Sequence, residues 1–431
     1  MSNVVPAGWK VLALKEFCKG IRGVTYKPTD LFQSMRSDSI TLLRSNNIQD
    51  KGLVFDEVQY VDCKKVKNSQ IAGRGDIAVC MSNGSKRLVG KSARFRDLNT
   101  RYTVGAFCSI FRPNGSVFSD YISHIFKSDA YYKQVDFSLA GSAINNLKNS
   151  DVEEYQFSIP TFLEQKKIAA ILNSVDDVIK KTQAQIDKIK DLKKGMMQEL
   201  LTCGVGANGK LHTEFKDSPV GRVPAEWDVV QLSSVLSKVD SGWSPACIEM
   251  PPATGEWGVV KVSAVTRGCF LEKESKTLPK ELKPKPHIQI KRGDILLTRA
   301  NGVADLVGKC VMVSSEPKAK LMMSDKILRL NVNDKVYSKF LLHYFNSRQI
   351  RKQIELSWGG SSGQKNISQA DIKGYFIALP SLNEQMVIGD SISQIDTLLS
   401  VKEAKLRKLE DSKKGLMQDL LTGKVRVKVD S

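Results

Sequence analysis

The decapeptide KKGMMQELLT at residues 193–202 returns as KKGLMQDLLT at residues 413–422, and this recurrence decides how the chain is organised. The match extends backwards without a gap, so residues 160–203 align with residues 380–423, and 16 of the 44 aligned positions are identical. An internal repeat defines the architecture before any single element does. The 431-residue chain is therefore expected to contain two copies of one unit, each ending in a similar segment.

The sequence outside these segments repeats more loosely. Val5-Pro6-Ala7-x-Trp9 returns at residues 223–227, Gly75-Asp76-Ile77 at 293–295, and Leu88-Val89-Gly90-Lys91 at 306–309. Between these anchors the two copies differ almost freely. Each copy is thus a variable domain followed by a similar segment, and such a duplication predicts pseudo-two-fold symmetry within one polypeptide, which suits a ligand with two related halves.

The two similar segments carry apolar residues at alternating steps of four and three, which is the pattern of supercoiled helices. A solitary helix of this length would not stay ordered without packing. Pseudo-two-fold symmetry would make the pairing of the two helices antiparallel. The predicted coiled-coil or partner interface comprises Ile168, Leu172, Val175, Ile179, Ile186 and Ile189 with Ile388, Ile392, Ile395, Leu399, Leu406 and Leu409.

The predicted fold class is α+β, with two similar mixed α/β domains in tandem, each followed by a long helix, and the two helices forming an antiparallel coiled coil. The expected boundaries are residues 1–159 for the first variable domain, 160–203 for the central helix, 204–222 for a linker, 223–379 for the second variable domain, and 380–431 for the distal helix and tail. Short β-rich runs are expected at 52–61, 76–81, 107–111, 259–262, 294–297 and 327–330, and one helix in each domain at 121–134 and 338–353.

The formal net charge of +19 points to a polyanionic partner, for which nucleic acid is the default. The excess lies in the variable domains, at +7 for residues 1–159 and +9 for residues 204–379, whereas the two helical segments carry +2 and −1. No apolar run is long enough for a membrane helix, and no secretory signal is expected. The eight cysteines are scattered without a CxxC pair, so we expect reduced cytosolic thiols rather than disulfides or a zinc site.

No catalytic or metal-binding residue is predicted. Gly84-x5-Gly90-Lys91-Ser92 resembles a phosphate-binding Walker A loop but has one spacer residue too many, and its copy at 302–310 ends in cysteine instead of a metal-binding hydroxyl. Both are interpreted as hairpin turns. Two histidines at matching positions, His124 and His343, are expected to fill the core.

These features together resemble the specificity subunit of type I restriction-modification enzymes. Pro160-x3-Glu164-Gln165 and Pro380-x3-Glu384-Gln385 open the helices, and the decapeptide closes each of them. A Gly-Ser-rich pattern ending in Asn-(Ile/Leu) precedes them at 141–147 and 361–367, and the run GDILLTRANG at 293–302 is also similar to the family. The first copy departs more from the pattern, with Ala-Ile-Asn-Asn at 143–146 against Gly-Gln-Lys-Asn at 363–366.

The resemblance implies two target recognition domains, each reading one half of a split double-stranded DNA sequence, and helices that space the half-sites and dock partners. The partners would be two modification (methyltransferase) subunits and two restriction subunits, with no membrane. S-adenosylmethionine, ATP and magnesium would be bound by those partners, and this cytoplasmic chain would bind no cofactor and be non-catalytic. Because the two domains differ, the target should be asymmetric and bipartite.

Base reading requires polar side chains that reach base edges in the major groove. The candidates are loop residues at matching positions of the two copies, although an Asn before Gly is often just a turn residue. The predicted DNA-binding residues are Arg44, Asn46, Asn47, Asn83, Lys261, Ser263, Arg299, Asn301, Lys365 and Asn366.

Two other functions remain open at this point. A stand-alone or fused DNA nuclease with an unrecognised site would cleave DNA in the presence of magnesium without any partner. A coiled-coil scaffold with basic binding domains would show no sequence preference on duplex DNA.

Overall fold

The computed structural model describes residues 5–140, 145–206, 209–357 and 365–428. The chain divides into two compact units. The first comprises residues 1–183 together with 404–431, and the second comprises residues 184–403. Each unit therefore contains one variable domain, the first half of the long helix that follows that domain, and the second half of the other long helix.

The first unit contains two four-stranded sheets. One has the order β2-β11-β8-β9 and is antiparallel, and the other has the order β10-β4-β7-β3, in which β10 and β4 are parallel. The strands are β1 (Lys10–Ala13), β2 (Cys18–Arg22), β3 (Leu31–Phe32), β4 (Ser39–Leu43), β5 (Ile48–Gln49), β6 (Gly52–Leu53), β7 (Gln59–Asp62), β8 (Ile77–Cys80), β9 (Ser92–Arg94), β10 (Tyr102–Val104), β11 (Cys108–Pro113) and β12 (Gln156–Ile159). The helices are α1 (Ser119–Ile125), α2 (Asp129–Ala140), α3 (Asn149–Glu153) and α4 (Phe162–Cys203).

The second unit repeats this topology. Its antiparallel sheet has the order β16-β23-β19-β21, and its other sheet has the order β18-β17-β22, again with one parallel pair, β17 and β22. The strands are β13 (Phe215–Lys216), β14 (Val223–Pro224), β15 (Asp228–Gln231), β16 (Leu236–Ser241), β17 (Trp257–Val260), β18 (Ser275–Thr277), β19 (Ile295–Thr298), β20 (Ala300–Asn301), β21 (Cys310–Met312), β22 (Lys320–Met322), β23 (Ile327–Val332), β24 (Lys365–Asn366) and β25 (Phe376–Leu379). The helices are α5 (Ser338–Phe345), α6 (Arg348–Ser357), α7 (Gln369–Gly374) and α8 (Leu382–Leu421).

The main core of each unit joins the domain to both long helices. In the first unit, Ile168 and Leu172 of α4 pack in one apolar cluster with Leu420 of α8. In the second unit, Ile388 and Ile392 of α8 pack in the corresponding cluster with Leu201 of α4. The repeated Leu-Leu-Thr at the end of each helix therefore anchors that helix in the domain of the other copy.

The two long helices pack antiparallel, as predicted. In the first unit, Lys413 of α8 forms an ion pair with Asp176 of α4 at 2.6 Å. In the second unit, Lys193 of α4 forms an ion pair with Asp396 of α8 at 2.5 Å. The two lysines occupy matching positions of the repeat, and so do the two aspartates. The two units thus make equivalent contacts between their parts of the long helices.

The helix-opening motif is explained by its hydrogen bonds. Buried Gln165 donates to the Pro160 carbonyl at 2.9 Å and accepts from the Phe118 backbone amide at 2.7 Å. Gln385 makes the same two hydrogen bonds in the second unit, where it donates to Pro380 and accepts from Tyr337. Each glutamine therefore fixes the start of a long helix against the start of the first helix of its domain, α1 or α5.

The glutamate of the motif holds the segment that follows the opposite helix. Glu164 accepts from the Arg426 guanidinium at 2.8 Å. Glu384 accepts from the Val205 amide at 2.7 Å and from the Trp227 indole at 3.1 Å. These buried, charge-assisted hydrogen bonds tie chain segments that are far apart in sequence.

The prediction of one continuous helix at 121–134 and at 338–353 is wrong, because each of these stretches is divided between two helices. The first expected helix, 121–134, is divided into α1 and α2, and the second, 338–353, into α5 and α6. Ser128 explains the first break, since its hydroxyl donates to the Ile125 carbonyl and accepts from the Tyr131 amide as a helix N-cap does. The continuous strand expected at 52–61 is likewise divided into β6 and β7.

The expectation that His124 and His343 fill the core is confirmed. Both are buried, and they face Asn173 of α4 at 3.1 Å and Ser393 of α8 at 2.8 Å, respectively. Burial lowers the pKa of each imidazole to about 4, so both are neutral at physiological pH.

The repeated Gly-Asp-Ile motif supplies a carboxylate to each main sheet, and this carboxylate is buried for Asp76 and partly buried for Asp294. Asp76 accepts two hydrogen bonds at 3.1 Å from the Arg112 Nε and one at 2.7 Å from its Nη2. In the second unit, Arg329 bridges Asp294 at 3.1 Å and Asp240 at 2.9 Å. In both units the aspartate of the motif pairs with an arginine of the neighbouring strand, which explains why the motif recurs.

Candidate nucleic-acid interface

Four predicted DNA-binding residues of the second unit come together in a two-stranded ribbon. β20 pairs antiparallel with β24, which places Asn301 opposite Lys365 and Ala300 opposite Asn366. The Arg299 Nε donates to the Asn366 side-chain oxygen at 3.3 Å. A single ribbon therefore presents the polar side chains of two segments that are 64 residues apart, Arg299–Asn301 and Lys365–Asn366. A two-stranded ribbon of this kind fits the major groove of DNA.

The first unit has the corresponding arrangement with different side chains. Ser82 bridges to Asn146, and the Asn83 amide donates to the Asn145 carbonyl at 3.3 Å. Met81 stands at the position of Arg299. The preceding residues 141–144, including the first two residues of the divergent Ala-Ile-Asn-Asn sequence, lie outside the described residues, as do 358–364 in the second unit.

Asn83 and Asn301 each organise a turn. The Asn83 side-chain oxygen accepts from the Ser85 amide at 3.0 Å, and the Asn301 oxygen accepts from the Val303 amide at 2.9 Å. These hydrogen bonds use only the side-chain oxygen of each asparagine, so they give both residues a structural role in the turn.

Asn47 has a structural position that removes it from the candidate base contacts. Its side chain is buried, accepts from the Arg44 amide at 2.9 Å and donates to the carbonyls of Val54 and Asp56 at 3.0 Å each. Its neighbour Asn46 is exposed, and Arg44 is half-buried. The candidates at this loop are therefore Arg44 and Asn46.

Lys261 and Ser263 follow β17, as Arg44 and Asn46 follow β4, so the structure confirms that these loops match. Both side chains have acidic partners within the second unit. Lys261 forms an ion pair with Glu249 at 3.3 Å, and the Ser263 hydroxyl donates to Glu274 at 2.6 Å. To contact a DNA base or phosphate, each side chain would have to leave its carboxylate partner or bind both groups at once.

One surface residue was missed by sequence reasoning. Phe107 is 70% exposed, and its carbonyl accepts from the amides of Met81 and Ser82, so it lies beside the first ribbon. Its counterpart in the second unit is Lys326, whose carbonyl accepts from the Arg299 amide at 2.9 Å. The sequence signal was an aromatic side chain in the short turn between β10 and β11, because a solvent-exposed turn does not require a large apolar side chain.

The predicted helix-interface residues face inward. Ile168, Leu172, Ile186, Ile388, Ile392 and Leu399 are buried, and Val175, Ile179, Ile189, Ile395, Leu406 and Leu409 are half-buried. The first two of each helix lie in the main core of their own unit. They join domain to helix rather than forming a helix–helix seam alone.

Within the described residues, no group of three or more His, Cys, Asp or Glu side chains is arranged to hold a metal ion. Over the same residues, none of the helices combines the length and apolar character needed to cross a membrane.

Two domains of one topology that present equivalent loops with different side chains, attached to a pair of long helices, define a two-module DNA-recognition protein. Comparison with known proteins identifies which kind of DNA-recognition protein it is. Residues 6–191 and 224–411 match the type I restriction modification DNA specificity domain. The chain belongs to the family of type I restriction-modification specificity subunits, and it is the non-catalytic, sequence-specific DNA-binding component of such a system.

Its relatives include specificity subunits from bacteria and archaea. The chain is 30% identical to the EcoKI specificity subunit of Escherichia coli K12 over 91% of its own length and 82% of the relative's. It is 30% identical to the StySPI specificity subunit of Salmonella potsdam, with the same two coverages. It is 27% identical to the putative MjaX specificity subunit of Methanocaldococcus jannaschii over 98% of this chain and 95% of that one.

Solved structures show the same fold at low sequence identity. The type I restriction-modification S subunit of M. genitalium matches with a TM-score of 0.60 at 12% identity, over 96% of each chain. A chain from a type I R-M system solved to explain its complex assembly matches with a TM-score of 0.51 at 16% identity, over 98% of this chain and 100% of that one.

Proposed function

We propose that this chain reads an asymmetric bipartite DNA target, with one half-site for each recognition domain. The observation that carries the proposal is the pair of equivalent ribbons with unlike side chains. Met81 and Phe107 in the first unit correspond to Arg299 and Lys326 in the second. Since base identity is read through the donors, acceptors and apolar groups of such side chains, unlike ribbons favour unlike half-sites.

Docking of two modification and two restriction subunits in the cytoplasm is part of the same proposal. The long helices support it, because they keep large apolar side chains on their outer surfaces. Exposed apolar residues of this kind mark protein interaction sites when they cluster. They are Phe162, Leu163, Val178 and Leu192 on α4, and Leu382, Met386, Val387, Leu398 and Val401 on α8. As the cofactors and reactants of catalysis, S-adenosylmethionine, ATP and magnesium are assigned to those partners and not to this chain.

The proposal is tested by mapping DNA methylation. The chain is expressed with the modification subunit of its own system in a methylation-free host, and methyladenine is located by long-read sequencing. We expect one split, asymmetric motif that disappears when this chain is omitted. A motif that persists without the chain, or a palindromic motif, would contradict the proposal.

The ribbon of the second unit provides a residue-level prediction. Arg299→Ala should weaken discrimination at one base pair of one half-site by about 1–3 kcal/mol, the range for a bidentate arginine contact with guanine. The other half-site should be unaffected. The measurement is competition binding of the assembled methyltransferase to duplexes with single-base changes in either half.

Arg292→Ala is the matched control, since it removes an exposed arginine of the same unit outside the ribbon, and it should leave discrimination in both half-sites unchanged. A uniform loss across all duplexes in Arg299→Ala, with a reduced salt dependence, would instead assign Arg299 to a phosphate.

A further inference from the structure

A cavity of about 990 Å³ opens in the first unit between the recognition domain and the end of α8. Its walls are the loop before β9, the start of α2, and the last turns of α8. Six cationic side chains line it, against four acidic ones. The cations are Lys86, Arg87, Lys91, Lys127, Lys413 and Lys414, and the acids are Asp50, Asp129, Asp136 and Glu410.

Two polar groups that line this cavity have no hydrogen-bond partner within the described residues. Lys91 is only 7% exposed, and within the described chain no hydrogen bond or ion pair reaches its ammonium group. The Tyr121 hydroxyl is also buried without a hydrogen-bond partner in the same described residues. A lysine charge that no carboxylate balances and a buried hydroxyl without a partner together favour an anionic ligand that would hydrogen-bond to both groups.

The surroundings add positive potential. Burial and the nearby Lys413 lower the pKa of Lys127, which donates to the Asp50 carbonyl at 2.9 Å. The twelve-residue helix α2 begins at the cavity with Asp129 and Ala130, and the N-terminus of a helix carries a partial positive charge. The loop itself is not a Walker A loop, because Lys91 leads into strand β9 instead of a helix.

The second unit has different side chains at the equivalent positions. Arg351 stands at the position of Tyr132 and donates to the carbonyls of Val307 at 2.8 Å and Ala304 at 3.1 Å. Gln349 stands at the position of Ala130 and donates to the Leu201 carbonyl at 3.3 Å. Lys309, the counterpart of Lys91, is exposed. The cavity is therefore a feature by which the two copies differ.

We propose that this cavity binds a small phosphate-bearing anion, held by the Lys91 ammonium and the Tyr121 hydroxyl, and that the second unit has replaced this ligand with Arg351. The site is separate from the DNA-reading ribbons and has no catalytic role. Its volume would accommodate either an inorganic polyphosphate or the phosphates of a mononucleotide.

Isothermal titration of the purified full-length chain with sodium pyrophosphate, and separately with ATP, tests the proposal in the absence of DNA and magnesium. We expect saturable binding to one site. Equal affinities would identify an inorganic-anion site, and tighter ATP binding would identify a nucleotide site. Absence of saturable binding of both probes at millimolar concentrations would overturn the proposal.

Three variants locate the site. Lys91→Met should weaken binding at least about tenfold, and Tyr132→Arg, which copies the second unit, should abolish it. Lys309→Met is the matched control and should bind like the parent. The thermal midpoint is a second readout, because a ligand stabilises only the state that binds it. Lys91→Met without ligand should melt no lower than the parent but should lose the increase caused by pyrophosphate. Parental binding by both Lys91→Met and Tyr132→Arg would place the anion elsewhere.

Discussion

Replacing residues 223–379 with the second recognition domain of another specificity subunit should change one half of the methylated DNA motif completely and leave the other half as it was. The structure explains why such a graft is feasible. β15 pairs with β25, with Asp228 opposite Leu379, so the two ends of the exchanged segment lie side by side. The graft therefore joins the rest of the chain at one place, next to the start of α8.

The donor domain must keep two contacts to α8. These are the Trp227 indole on Glu384 and the Tyr337 amide on Gln385. Methylation mapping of the chimaera is the measurement, and exchange of residues 5–159, whose ends are joined by the pairing of β1 and β12, is the reciprocal control. Changes in both halves after a single exchange would show that the two domains do not read DNA independently.

The duplication, the antiparallel helices and the class of protein could be predicted from the sequence, because they rest on the spacing of nearby residues and on residues that are identical in the two copies. The decapeptide repeat and the four-three spacing depend only on neighbouring residues. The anchoring of Leu201 and Leu420 could not be predicted, because a heptad pattern does not distinguish a helix–helix contact from a helix–domain contact. The same limit applies to Ile168 and Ile388, which were assigned to the seam and lie in the domain cores.

The candidate site was predicted as separate loops, and the structure joins them. Asn301 and Lys365 are partners across a ribbon, a pairing that spans 64 residues and leaves no local pattern. Asn46 and Asn47 are chemically identical neighbours, yet one is exposed and the other forms three hydrogen bonds to the backbone. Sequence could not choose between them, since either asparagine satisfies the preference of such a turn.

The repeated Gly-Asp-Ile motif leads to the prediction with the largest effect on stability. Arg329→Met should destabilise the second unit by about 3 kcal/mol, the lower end of the range for removing one partner of a buried ion pair, because Asp240 and Asp294 would remain partly buried in the sheet without their shared cation. The loss includes the hydrogen bonds that Arg329 donates to the carbonyls of His287 and Gln289. Urea unfolding followed by tryptophan fluorescence measures it, since four of the five tryptophans belong to residues 184–403.

Lys238→Met is the matched control because Lys238 pairs with the same carboxylate at 2.7 Å but has a largely exposed side chain. An exposed pair contributes at most about 1 kcal/mol, so this variant should unfold near the parental urea concentration. Equal losses of unfolding free energy in the two variants would mean that any cation paired with Asp240 stabilises the sheet, and that the position of Arg329 between two carboxylates does not matter.

The pH dependence of the unfolding free energy shows whether Arg329 stabilises the sheet through its charge or through its packing. Burial raises the pKa of Asp240, but hydrogen bonds from Lys238, Arg329 and Asn331 outweigh burial and lower it from 3.8 to about 2. A carboxyl whose pKa is lower in the folded state contributes stability above its unfolded pKa and loses that contribution as the pH falls through the folded value. The parent should therefore lose stability between about pH 4 and pH 2 at this site, whereas Arg329→Met, with a higher Asp240 pKa, should lose less. The difference in unfolding free energy between the two proteins should accordingly narrow over that interval, and a constant difference would show that Arg329 acts through packing rather than through its charge.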